Sequence, residues 1–232
     1  MNLVELESVR LSYGQAQALE EVTLRIGEEE RVVLLGPSGC GKTTVLRLIA
    51  GFLAPDSGRV LLEGRPVSGP GRILVPPEKR NVGLVFQDLA LWPHLTVRGN
   101  LDFVLRARKI PKSEWKERTG ALLDLLGISD LADRKPAQLS GGQQQRAALA
   151  RALVQEPRIL LMDEPLSSLD YDLNRRLREE ILRLRERLRF TLLYVTHDRE
   201  EAFHIAQRII VLSRGSIAFQ GTPEEARAWF DS

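Results

Sequence analysis

The chain has 232 residues, 43% of them hydrophobic, and its 33 Lys and Arg against 31 Asp and Glu leave a net charge of +2. That length can bury a real core, in one large domain or two small lobes. The near balance of charge, with no basic tail, gives no support to a nucleic-acid or acidic-membrane surface. No apolar run approaches the roughly 20 residues of a bilayer span. The start carries Glu5 and Glu7 without a basic cap before an apolar stretch, so no secretion signal is expected. Cys40, the single cysteine, cannot form an intrachain disulfide, which is compatible with a reducing compartment.

In chain order, Val4/Leu6, Val9/Leu11 and Val22/Leu24/Ile26 alternate with polar residues, which predicts antiparallel strands at the start. Tyr13 and Gly14 fall in the first connection, where the tyrosine is either a stacking face for a flat ring or a half-exposed loop aromatic. Residues 31–35 read as a buried strand, and Val45, Leu46, Leu48, Ile49 and Phe52 as one face of a helix. Between them, residues 36–43 fit the pattern G-x-x-x-x-G-K-[ST]. Glycines here let the backbone curl so that amides from residues 38–43 converge at the positive end of the helix dipole, a cradle for a polyphosphate. Its candidate contacts are Gly36, Ser38, Gly39, Cys40, Gly41, Lys42, Thr43 and Thr44. Lys42 adds a point charge, and the Thr43 hydroxyl is placed to ligate the magnesium ion of a nucleotide. A turn at 55–58 and a strand at 59–63 follow, while the prolines and glycines of 66–77 predict irregular chain. The strand at 81–86 ends on Gln87, either a functional polar group at a sheet edge or an exposed strand end.

Residues 95–155 carry helical periodicity and predict a helical insert. Ser140, Gly141, Gly142 and Gln143 open its last helix, as an anion site or a simple cap. The apolar strand at 158–162 runs into Asp163 and Glu164, which places two carboxylates at the carboxyl edge of the sheet. Asp163 suits a magnesium ion and Glu164 the activation of a water. A helix striped by Leu173, Leu177, Ile181, Leu184 and Leu188 carries seven arginines between 175 and 189, read as a solvated face. The strand at 192–195 delivers His197 to the same edge. Strands at 209–212 and 217–219 form a hairpin, and Thr222, Pro223 and Glu225 start a final helix.

Together these motifs, in this order along nearly the whole chain, resemble an ATP-binding cassette (ABC) transporter ATPase subunit. The resemblance implies an α/β P-loop NTPase fold, a mainly parallel sheet flanked by helices, with an N-terminal antiparallel β part. It implies one domain, 1–232, with a core lobe of 1–90 and 156–232 and a helical part of 91–155 that ends in the signature. It implies ATP and Mg²⁺, with Tyr13 on the adenine, Lys42 on the phosphates, and Thr43, Gln87 and Asp163 around the metal. Glu164 becomes the general base and His197 a contact to the γ-phosphate. Ser140, Gly141, Gly142 and Gln143 meet the nucleotide of a second subunit, and Asp170, in the run Ser168-Leu169-Asp170, lies at that boundary. Cys40 is then expected to border the phosphates and to face residues 139 and 140 of the second chain. Residues 87–94 and 140–146 are similar to importer subunits, which implies a homodimer or paired ATPase subunit, transmembrane permease subunits, a solute-binding protein and no nucleic acid. The place implied is cytoplasmic, on the inner face of the cell membrane. Many such subunits continue into a regulatory β-domain, which is not expected here, and Gly99 stands where an acidic residue is common. The apolar group Leu91, Trp92, Pro93 and Leu95 is read as a surface for a permease, with packing inside the insert as the alternative. A soluble ABC-type ATPase acting on nucleic acid or ribosomes is the competing function. It would be expected to carry a coiled-coil insert or a second cassette.

Overall fold

The computed structural model describes residues 1–167 and 169–232; Ser168 lies outside the described residues. The chain opens with β1 (Asn2–Tyr13) and β2 (Ala16–Gly27), paired antiparallel. Val4, Leu6, Val9 and Leu11 are all buried on one strand, although the step from Leu6 to Val9 breaks the period of two. Ser8 resolves the conflict. Its φ of 44° and the register shift beside it make a bulge that returns Val9 and Leu11 to the core.

Next come β3 (Arg31–Leu35), α1 (Lys42–Ala50), β4 (Ser57–Leu62), β5 (Arg65–Gly69) and β6 (Arg72–Ile73). The irregular chain expected over 66–77 is thus corrected, because two short strands lie within it. Pro66 lies opposite Leu61 of β4, and because β6 pairs only with Ser68 and Gly69, β5 is an edge strand at Pro66, the position where a sheet tolerates proline. Phe52 also departs from expectation: α1 ends at Gly51 with φ 88°, and Phe52 beyond it is half exposed.

The rest follows as β7 (Val82–Val85), α2 (Val97–Ala107), α3 (Lys112–Leu125), α4 (Gly141–Leu153), β8 (Ile159–Asp163) and α5 (Tyr171–Leu188). It closes with β9 (Thr191–Thr196), α6 (Arg199–Ile205), β10 (Arg208–Ser213), β11 (Ser216–Gly221) and α7 (Pro223–Asp231). Gly99 does not weaken α2, since the Thr96 hydroxyl caps it by accepting from the Gly99 amide at 3.0 Å.

Two sheets result. A five-stranded antiparallel sheet has the order β2-β1-β4-β5-β6, and a six-stranded sheet the order β11-β10-β3-β9-β8-β7, parallel except for β11. In β3 the period of two sends Val32 and Leu34 to the core shared with α1 and the antiparallel sheet. Val33 and Leu35 go to the core shared with the helices. A strand buried on both faces has to be apolar throughout, which is why it was visible in the sequence.

Arg80 had no sequence signal, yet it is 1% exposed and fully engaged. It donates to the carbonyls of Val75, Leu48, Ile49 and Val67, each at 2.8 Å, and to the Ser68 hydroxyl at 2.6 Å. Burial lowers its pKa to about 10. The guanidinium ties the end of α1 to β5, and a Cβ on Gly51 would lie 2.6 Å from its Nε. The solvated arginine face expected on α5 also needs correction. Arg178 is 3% exposed and Arg185 reaches back to the Glu29 carbonyl, whereas Arg183 pairs with Glu179 at 3.5 Å as expected.

Candidate nucleotide-binding site

The loop between β3 and α1 is shaped by its glycines. A Cβ on Gly36 would meet the Leu212 carbonyl at 2.3 Å, and one on Gly41, at φ 108°, would meet the Ala18 carbonyl at 2.6 Å. Neither position admits a side chain. Gly41 is the N-cap of α1 and provides no side-chain cap, and no acidic residue lies in the first turn. The first amides of the helix therefore remain available to an anion.

Not every amide of the loop is free. The Cys40 N–H turns to the Pro37 carbonyl at 3.3 Å, and the Cys40 side chain, 4% exposed, belongs to the core under the loop. A Cβ on Gly36 would touch its Sγ at 2.7 Å. The expectation that Cys40 borders the phosphates and faces a second chain is corrected accordingly, because the thiol points inward. Burial also pushes its pKa up.

Lys42 is buried, with its Nζ donating to the Gly36 carbonyl at 2.8 Å and the Pro37 carbonyl at 3.0 Å. The same nitrogen lies 3.4 Å from Glu164 Oε1. The Thr43 hydroxyl donates to Asp163 Oδ1 at 3.0 Å. Burial raises the Asp163 pKa, the Thr43 hydrogen bond opposes the rise, and the charge of Glu164 adds to it. A divalent cation would offset both burdens. Thr44 is buried behind Thr43.

The acidic pair is placed by sheet register. Asp163 ends β8 opposite Val195 of β9, and the Glu164 amide donates to the Val195 carbonyl at 3.0 Å. Glu164 adopts φ 42°, the left-handed region uncommon for its type, which turns its side chain back across the strand ends. There Oε2 meets His197 Nδ1 at 2.8 Å, while Oε1 faces Lys42. The carboxylate thus bridges the phosphate-loop lysine and the histidine of the neighbouring strand.

A cleft of about 480 Å³ opens over this edge, lined by Tyr13, Ser38, Gly39, Gly41, Lys42, Thr43, Thr44, Gln87 and Glu164. Tyr13 is 48% exposed at its mouth, a free aromatic face. Gln87 lies in the turn after β7, the neighbour of β8. Sequence reasoning missed Ala16, Gln17 and Ala18, which complete the lining from β2 and carry no motif.

Ser140, Gly141, Gly142, Gln143 and Asp170 do not line the cleft. Ser140 caps α4 in a reciprocal box: its hydroxyl accepts from the Gln143 amide at 3.4 Å, and Gln143 Oε1 accepts from the Ser140 amide at 2.9 Å. Asp170 caps α5 by accepting from the Leu173 amide at 3.0 Å. The two caps are packed together, since Cβ atoms on Gly141 and Gly142 would contact Leu169 and Leu173.

Another missed residue is Arg151 of α4, 6% exposed, which donates to the carbonyls of Leu89 and Ala90 just past Gln87. Both of those residues have positive φ, 59° and 45°. The guanidinium also sits 5.1 Å from the Trp92 ring, whose other neighbour is Phe103 at 4.4 Å. Trp92 is half-buried in this arrangement, and Pro93 is exposed.

A protein-family model described as ABC transporter matches residues 19–167. The chain is 47% identical over 223 residues to the spermidine/putrescine import ATP-binding protein PotA of Haemophilus influenzae, covering 96% of this chain and 59% of that protein. It is 48% identical over 222 residues to the Fe(3+) ions import ATP-binding protein FbpC of Rhizobium etli, covering 96% and 62%. The chain therefore spans about three-fifths of the length of these curated relatives. A solved dimer of the ATP-binding cassette MJ0796, in a post-hydrolysis state bound to ADP and Pi, superimposes with a TM-score of 0.82 at 33% identity, covering 95% of this chain and 98% of that one. With the phosphate loop, Gln87, the α4 cap and the acidic pair all inside the matched span, the chain belongs to the ABC transporter family.

Proposed function

We propose that the chain binds ATP in this cleft and hydrolyses it, as the motor subunit of an importer whose membrane-spanning subunits are separate chains. The observation that carries the reading is the convergence at one sheet edge of Lys42, the Thr43–Asp163 pair and the Glu164–His197 pair. Lys42 is held mainly by neutral carbonyls, from which a triphosphate can recruit its charge. Turning to the phosphates also releases Glu164 Oε1, while His197 keeps Oε2 oriented. That is the arrangement a general base needs toward a water beside the terminal phosphate. Thr43 and Gln87 line the cleft, and Asp163, which does not, lies directly behind Thr43 in hydrogen-bond contact; together they offer a small all-oxygen donor set, which fits a magnesium ion that keeps water and phosphate ligands. When bound, such an ion neutralises phosphate charge as the bond to the leaving group breaks. Tyr13 offers its exposed ring to the adenine.

The α4 cap, with Ser140, Gly141, Gly142 and Gln143, forms the second half of a site on another chain. Neither it nor Asp170 lines the cleft of its own chain, and the MJ0796 cassette was solved as a dimer with ADP and Pi. Two copies, or a copy and a paired ATPase subunit, then share two sites. Within each chain the core lobe is 1–90 with 156–232 and the helical part is 91–155. Among the described residues no helix is long and apolar enough to cross a membrane; the solute's path is assigned to permease subunits, following the import names of the relatives. Trp92, half-buried in contact with both Arg151 and Phe103, belongs to the surface that meets them, at the cytoplasmic face. A solute-binding protein completes the importer, in line with the import names of the relatives.

Glu164→Gln tests the assignment. Turnover is expected to fall by about 10²- to 10⁴-fold while ATP binding survives. Lys42→Ala should weaken binding itself. Near-normal hydrolysis by the glutamine variant would rule out Glu164 as the base.

A further inference from the structure

Behind the Glu164–His197 pair lies a second carboxylate, Glu201 of α6, only 6% exposed. Its Oε2 accepts from the Thr196 hydroxyl at 2.7 Å and the Tyr194 hydroxyl at 3.2 Å, and its Oε1 from Asn174 Nδ2 at 2.7 Å. A buried carboxylate is costly to desolvate, and a stable fold has cheaper ways to fill a core.

Two of the three partners lead directly to the site. Thr196 ends β9, and its Oγ1 accepts from the Asp198 amide at 3.0 Å, so it spans the turn that carries His197. Asp198 Oδ1 accepts from the Glu201 amide at 2.9 Å, which closes a ring around that turn. Asn174, on α5, also donates through Nδ2 to the Leu166 carbonyl at 3.2 Å, just past Glu164. One carboxylate therefore joins the two segments that present either end of the Glu164–His197 hydrogen bond.

We propose that Glu201 is a positioning residue for hydrolysis: it fixes the turn at 196–198 against the segment at 164–166, and so sets the contact between His197 and Glu164. The proposal rests on the reading of the cleft as a hydrolytic site. Glu201→Gln preserves shape but replaces two acceptor oxygens by one: with the amide oxygen toward Thr196 and Tyr194, its nitrogen meets Asn174 Nδ2, donor against donor. Asn174 Oδ1, which has no partner among the described residues, can rotate in to accept. Leu166 then loses its donor. With the oxygen kept toward Asn174 instead, the amide nitrogen faces the Thr196 hydroxyl, which must turn its proton away and already accepts from the Asp198 amide. In either orientation the charge-assisted bonds that join the two segments are lost.

The test is single-turnover and steady-state ATP hydrolysis by the full chain, with wild type, Glu164→Gln, His197→Ala, Glu201→Gln and the His197→Ala/Glu201→Gln pair. Glu201→Gln should lower the catalytic rate roughly tenfold with KM for ATP within about twofold, and should add less than about twofold in the His197→Ala background. Thr196→Val, which removes the hydroxyl tying the turn, should show the same non-additivity and carries the test if the glutamine variant fails to fold. Tyr194→Phe, which severs a bond leading to neither segment, should leave the rate within about twofold. Wild-type rates in both Glu201→Gln and Thr196→Val, or equal multiplicative losses in both His197 backgrounds, would overturn the proposal. If Glu164→Gln were active, the hydrolytic reading and this proposal would fall together; if it were inactive while Glu201→Gln and Thr196→Val were unaffected, only the positioning role would fail.

Discussion

Arg80→Lys keeps the charge and removes the fork, which makes it a severe test of how the phosphate loop is supported from behind. The guanidinium makes five hydrogen bonds, to four carbonyls and the Ser68 hydroxyl, from three nitrogens spread over its plane. An ammonium has three protons on one nitrogen, so at least two acceptors lose their donor. Hydrogen bonds to a charged group contribute about 1.5–3 kcal/mol each, so the loss is roughly 3–6 kcal/mol. A domain holds only about 5–15 kcal/mol in total. The lower end is favoured because the Leu48 carbonyl also receives the Gly51 amide at 3.2 Å. For a chain of this length each kcal/mol shifts the melting temperature by about 2–4 °C, which predicts a fall of roughly 6–24 °C. Circular dichroism melting, with reversibility checked, measures it. ATP affinity should fall as well, because the Leu48 and Ile49 carbonyls anchor the far end of the helix whose first turn holds Lys42 and Thr43. A shift below about 2 °C would refute the reasoning, since it would mean that the five bonds are replaceable.

Two further outcomes follow from buried and half-buried side chains. Cys40 should react slowly with a bulky thiol reagent in the folded chain and at the unfolded-protein rate in denaturant, because its thiol is packed in the core and burial raises its pKa; fast labelling that MgATP blocks would place the thiol in the cleft instead. Trp92→Ala should reduce co-purification with permease subunits far more than it lowers the melting temperature, since the ring is only half-buried against Phe103 and Arg151; a large thermal loss with normal assembly would make it a core residue.

The parts of the site legible in the sequence were those where one local pattern meets one strong constraint. Strands β3, β8 and β9 are buried on both faces, so they read as apolar runs, and whatever follows such a run lands at the sheet edge. That placed Asp163, Glu164 and His197 together. The loop glycines were legible because Gly36 and Gly41 have no room for a Cβ. What sequence could not show depends on contacts distant along the chain. Nothing local marks Arg80, whose partners lie at 48, 49, 67, 68 and 75, or Arg151, which reaches back to 89 and 90. The β5–β6 hairpin was hidden because Pro66 and Gly69 argue against strands until the short partner strand is known. Helix α6 is too short, at 199–205, for its period to be read. Cys40 was misjudged because a loop residue is assumed to face the ligand, whereas the curl that exposes its neighbours turns this one inward.

The central claim is that the cleft of one chain is completed by the α4 cap of another, and it is tested most directly by ATP-dependent association of the Glu164→Gln chain. This variant should retain ATP without turning it over. With MgATP, size-exclusion chromatography with light scattering should give a species of twice the chain mass, and with ADP or without nucleotide a species of the single mass. Ser140→Arg in the same background should abolish the dimer while leaving ATP bound to the monomer, because Ser140 lies outside its own cleft and would crowd only the partner's nucleotide. A Glu164→Gln chain that stays monomeric at saturating MgATP, or a dimer indifferent to the change at Ser140, would contradict the shared site.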